Sequence, residues 1–173
     1  MRAAFTALLL LFSCALVAQP REHEVKAAFL FKFLSFVEWP QEAMGEGPIV
    51  IGVIGAEDVA AELQQIVPGR NAQGRVVSVR RLREAESVAG VHLLFLGRGE
   101  SARLREIVRL APTQPVLLVC DWEDALGQGA VVNFLRGDGR VRFEVALDAA
   151  ERRSLRISSR MLSVAQSVKP GRL

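Results

Sequence analysis

Tyrosine is absent from the 173 residues, and histidine and cysteine occur only twice each. These scarcities exclude much chemistry. His23 and His92 stand far apart, with no HExxH, CxxC or spaced histidine pair around them, so no metal-ligand motif is present. His23 has no motif beside it, and His92 opens an apolar segment, where a lone histidine reads as a satisfied core residue. No G-x-S-x-G elbow supplies a hydrolase nucleophile, and no P-loop occurs. Charge of one sign is never concentrated. The 22 basic and 19 acidic residues give a net charge of +3 with no run of five or six like charges, which argues against nucleic-acid binding. No apolar stretch reaches the roughly 20 residues of a membrane span.

What is present begins at the start of the chain. Met1 and Arg2 precede an almost wholly apolar stretch from Ala3 to Ala18, and charge resumes at Arg21. A positive start, a short apolar stretch and small residues at its end predict a secretory signal peptide over residues 1–18 and a single mature domain over 19–173. Cleavage fits after Ala15 or after Ala18. Leu11-Phe12-Ser13-Cys14 loosely resembles a lipobox, so acylation of Cys14 stands as an alternative. If Cys14 is removed, Cys120 has no intramolecular disulfide partner. Its place after the apolar residues 116–119 suits a buried thiol, with a reactive thiol the sharper alternative.

The mature chain alternates between two periods. Residues 22–37 predict a helix, with Val25, Ala28, Phe29, Phe33, Phe36 and Val37 on one stripe and Leu30, Phe31 and Leu34 widening it, so it is buried on more than one side. Pro40 stops it. The β-branched run 49–54 predicts a strand buried on both faces. A helix over 58–67, a strand over 75–80, a short helix over 82–89 and a strand over 92–96 follow. Next come a helix over 101–110 capped by Ser101 and a strand over 116–120. This alternation predicts an α/β fold with a mostly parallel central sheet flanked by helices. Residues 131–136 and 140–145, joined by Gly137-Asp138-Gly139, predict a hairpin. Asp148 is placed to cap a short helix, and Ser158 to start a last amphipathic helix reaching Val168.

Few residues group as a chemical site. Asp121, Trp122 and Glu123, with Asp124, follow a strand, at the rim where ligands bind in parallel α/β sheets. They could hold a ligand or act as acid and base, or simply favour the dipole of a short helix. Gly52-Val53-Ile54-Gly55 has the outline of a dinucleotide turn, but a third glycine is missing and Glu57 and Asp58 would repel a phosphate. Arg103, Arg105 and Arg109 read as a solvated helix face. No cofactor is expected.

Several segments, taken in order, resemble the YfiR family. They are Val25 to Phe33 followed by Phe36-Val37-Glu38-Trp39-Pro40, then Ile49 to Gly55, then Val91 to Leu96. Gly129 to Phe134, Val141 to Val145, and Ile157-Ser158-Ser159-Arg160-Met161-Leu162 complete the series. The resemblance implies a non-catalytic periplasmic regulator that binds the periplasmic domain of a membrane sensor protein. For the best-understood members that sensor is a diguanylate cyclase, whose release raises cyclic di-GMP and favours biofilm. It also implies a possible homodimer, no nucleic-acid partner and no membrane insertion after signal cleavage. Many members carry a cysteine where this chain has Val91, so redox sensing through that cysteine does not carry over. The family pattern directs attention to the closing hairpin and last helix, with Glu144, Phe143, Arg160 and Trp39 as candidate partner contacts. Glu144 is expected to point outward, because Val141, Phe143 and Val145 alternate inward. The rival reading is a periplasmic small-molecule receptor using Asp121, Trp122 and Glu123, and a more distant one is an enzyme built on the same acids.

Overall fold

The computed structural model describes residues 21–83, 86–137 and 139–171. The expected signal peptide over 1–18 lies outside them. The chain opens with α1 (Glu22–Phe33), β1 (Val37–Glu38), α2 (Gln41–Met44) and β2 (Ile49–Ile54). Then come α3 (Glu57–Ile66), β3 (Asn71–Ala72), β4 (Arg75–Arg81), β5 (Leu93–Leu96), α4 (Ser101–Leu110) and β6 (Leu117–Cys120). The hairpin β7 (Val132–Gly137) and β8 (Arg140–Ala146) leads to α5 (Leu147–Arg152), β9 (Arg156–Ile157), α6 (Ser159–Val164) and β10 (Ser167–Lys169).

The main sheet has eight strands in the order β10-β8-β7-β6-β5-β2-β4-β3. The five from β7 to β4 run parallel, as the continuous apolar runs in β2, β5 and β6 require: a strand covered on both faces has no side for polar residues. β8 returns antiparallel to β7, with Phe134 opposite Phe143 and Asn133 opposite Glu144. From β2 the chain passes through α3 to β4 on one side, and β5 then starts the other side. Right-handed crossovers in opposite directions put α3 and α4 on opposite faces.

α1 joins α3 on its face and locks onto the hairpin through aromatic rings. Phe33 meets Phe143 edge-on at 5.0 Å and stacks on Phe134 at 6.0 Å, while Phe29 meets Phe143 at 5.6 Å. Such pairs add about 0.5–1.5 kcal/mol each beyond the area they bury. At the opposite end of the chain, Arg153 is buried and donates to the carbonyls of Ala111 at 3.3 Å and Gln114 at 2.9 Å, tying α5 to the turn after α4. Burial and then the charge of Arg152 lower its guanidinium to about 10, so it stays charged at neutral pH.

Several local expectations are corrected. α1 ends at Phe33 and not at Val37. Tight turns follow, and Gln73, in the β3–β4 turn at φ +51°, donates to the carbonyls of Leu34 and Val37. Val37 and Glu38 then pair antiparallel with β9. The buried face of the helix is Lys26, Ala27, Leu30 and Phe33, while Ala28 is exposed. The described part of 82–89 is not helical, and residues 84 and 85 lie outside the described set. Glu100 is the N-cap residue of α4, so Ser101 is its first helical residue. Asp148 sits inside α5 and pairs with Arg152, one turn on, instead of capping. Ser158 does cap α6, accepting the Met161 amide, but α6 stops at Val164 because β8 captures residues 167–169 as a parallel strand.

Candidate functional site

The carboxyl ends of β2, β5 and β6 meet where the strand order reverses, the usual ligand rim of such sheets. Close approach here demands glycine. A Cβ on Gly97 would collide with the Gly55 carbonyl oxygen, and Gly55 itself adopts φ +66°.

A chain of alternating charge spans this rim. Arg136, near the end of β7, reaches Glu22 at 3.0 Å. Glu22 pairs with Lys26 one turn along α1. Lys26, only 4% exposed, reaches Asp121 at 2.5 Å and lies 5.9 Å from the centre of the Phe134 ring. Arg98, after β5, closes the chain on the other Asp121 oxygen at 3.5 Å. Burial raises the Glu22 carboxyl, but hydrogen bonding and charge from Lys26, then Arg136 and Arg98, outweigh it and hold the group below the usual carboxylate range. Ions taken from water need partners on every side, and here each buried charge has two.

This geometry separates the residues that the sequence grouped. Asp121 is buried and its charge is taken by Lys26 and Arg98. Trp122 packs half-buried against the core, and Glu123 is exposed. The rim cavity, of about 370 Å³, is lined by other residues: Glu22, His23, Lys26, Arg136 and the segment from Gly55 to Val59 that leads into α3. Composition hid Glu22, Lys26, Arg98 and Arg136. The one available signal was a lysine inside an apolar helix with a glutamate four residues before it.

Next to the rim, burial and then the Asp121 charge push the Cys120 thiol well above its ordinary value, which suits a core residue better than a nucleophile. His92 is equally internal. Its Nδ1 accepts the Val50 amide at 3.1 Å, and its own carbonyl accepts Trp39 Nε1 at 3.1 Å. Burial, then Arg75, lowers its pKa, although the carbonyls of Ala43 and Met44 oppose the shift. No group of three or more His, Cys, Asp or Glu able to hold a metal occurs among the described residues.

The closing hairpin and α6 form the second region. Phe143 and Trp39 are core residues, 2% and 7% exposed. Glu144 lies on the opposite face of β8 from Phe143 and is half-buried. It accepts Asn133 Nδ2 at 3.1 Å and Ser167 Oγ at 3.4 Å. Arg160 is exposed.

The scaffold is a mostly parallel α/β sheet closed by an antiparallel hairpin, with its rim charges paired to one another. The chain belongs to the YfiR/HmsC-like family, whose profile matches residues 23–166. Membership places it among periplasmic regulators of diguanylate cyclase pathways, a regulatory and non-catalytic family. No curated protein matches the chain. No helix among the described residues is long and apolar enough to cross a membrane.

Proposed function

We propose that this protein is a periplasmic repressor. It binds the periplasmic sensor domain of an inner-membrane diguanylate cyclase, holds the cyclase in its inactive state, and so restrains cyclic di-GMP and biofilm formation. The observation that carries this reading is the family match across residues 23–166. The pairing of the rim charges supports it, since groups committed to one another are poorly placed for acid–base work. A repressor of this kind acts by binding the inactive state more tightly than the active one. Its contact surface is the hairpin and α6, with Arg160 and Glu144 facing the partner and Phe143 buried behind the hairpin against α1, while Trp39 is buried against His92. The test is cellular cyclic di-GMP with and without the gene. Deletion raises it, and the full chain restores it while a chain lacking residues 1–18 does not. Unchanged cyclic di-GMP on deletion removes the cyclase as target.

The rim cavity favours a second reading, a small-molecule receptor. On that reading a periplasmic metabolite raises the melting temperature of the wild-type protein but not of Arg136→Ala. A panel of metabolites that leaves the wild type unmoved counts against it.

A further inference from the structure

The rim cavity has both signs of charge on its wall, and part of each is unspent. Arg136 uses its Nε on Glu22, and its two Nη groups meet no acceptor among the described residues. Lys26 gives two of its three N–H groups to Glu22 and Asp121, which leaves it one. Across the cavity, on α3, the Asp58 carboxylate is exposed and pairs with no cation among the described residues. Its neighbour Glu57 is already held by Arg81 at 3.3 Å. α3 also starts without a side-chain cap, so its first-turn amides are open.

The charges decide what the cavity accepts. On the side of α1 and the hairpin stand three cations, Arg136, Lys26 and Arg98, against two carboxylates, Glu22 and Asp121. On the α3 side Glu57 and Arg81 cancel, and Asp58 is left over. The wall is therefore balanced as a whole and polarised across its width. A ligand of negative charge alone suits Arg136 but meets Asp58, and one of positive charge alone meets the reverse. An apolar ligand strips water from these ions and returns nothing. The volume of about 370 Å³ stands near the lower end of ligand pockets, about 300–1,000 Å³.

We infer that the rim cavity binds a small zwitterion, a molecule with one carboxylate and one ammonium a few bonds apart. This rests on the receptor reading and names its class of ligand. The carboxylate meets the free Nη groups of Arg136 and the open amides of α3, and the ammonium meets Asp58. Both contacts are charge-assisted hydrogen bonds, about twice as strong as neutral ones, so a neutral sugar of the same size is the poorer occupant. A phosphate is poorer still, because it carries no ammonium to offset Asp58.

The experiment titrates the mature protein with glycine, alanine and β-alanine, and with three controls: propionate, which lacks the ammonium, alaninamide, which lacks the carboxylate, and glucose, which lacks both. Binding is read by calorimetry and by the shift in melting temperature. At least one zwitterion binds, and each control binds about tenfold more weakly or not at all. Asp58→Asn weakens the zwitterion about tenfold and leaves propionate unchanged or tighter. Arg136→Gln weakens the zwitterion and propionate alike. Melting curves of the free variants verify folding. If Arg136→Gln, which loses the bond to Glu22, does not fold, Asp58→Asn and the controls decide, since Asp58 is exposed and unpaired. A zwitterion that binds Asp58→Asn as well as wild type overturns the inference. Glucose or propionate binding with dependence on Arg136 while every zwitterion fails overturns the ligand class and leaves the receptor reading standing. Silence of these six compounds overturns the inference, and only silence of the wider metabolite panel as well removes the receptor reading with it.

Discussion

At the scale of single residues, His92 shows how a lone histidine is spent. Its ring accepts the Val50 amide, which requires an unprotonated Nδ1, and burial keeps it so. Because the folded pKa lies below the ordinary value, the unfolded chain takes up the proton first as pH falls. Stability is therefore complete above about pH 6.5 and is lost between that value and the lower folded one. The groups facing the ring are Arg75 and the carbonyls of Ala43 and Met44. We expect the melting temperature to fall between pH 7.5 and pH 5, by about 2–4 °C for each kcal/mol lost in a chain of this size. His92→Gln, which keeps an acceptor for Val50, flattens that slope, and an equal slope in both proteins would remove His92 as its source. Lys26 teaches the opposite lesson about legibility. Its position among apolar residues was plain in the sequence, but its partner Asp121 lies 95 residues away, and only the fold brings the two together.

At the scale of elements, the aromatic cluster joins α1 to the hairpin, and Phe143 stands at its centre. Phe143→Ala is expected to cost about 3–5 kcal/mol in urea unfolding, as truncation of a buried phenylalanine does. Arg160→Ala, on an exposed helix, changes stability by less than about 0.5 kcal/mol. Similar losses in the two variants would contradict this placement of the core. The elements that sequence reading recovered were those with a strong period of their own. The β-branched run of β2, the apolar β5 and β6, and the hairpin around Gly137 and Gly139 each carry the signal locally. The elements it missed are made by their partners. β1 and β9 are two residues each and exist because they pair, while Phe33 to Phe36 keep a helical apolar spacing even though turns and Gln73 end the helix there. Residues 167–169 likewise continue the pattern of α6, but the free side of β8 claims them.

At the scale of the whole molecule, the strand–helix alternation was legible because each parallel strand must be followed by a crossover long enough to reach its neighbour. The candidate site was legible only in outline. Asp121 could be placed at a strand end, while the four charges around it come from α1, β7 and the segment after β5, and no local pattern links those segments. The arginines of β4 carry a consequence for stoichiometry. Exposed Arg80 and Arg81 oppose strand addition at β4, so head-to-tail stacking of copies of this chain through that edge, the route by which a sheet runs on into a fibre, is disfavoured.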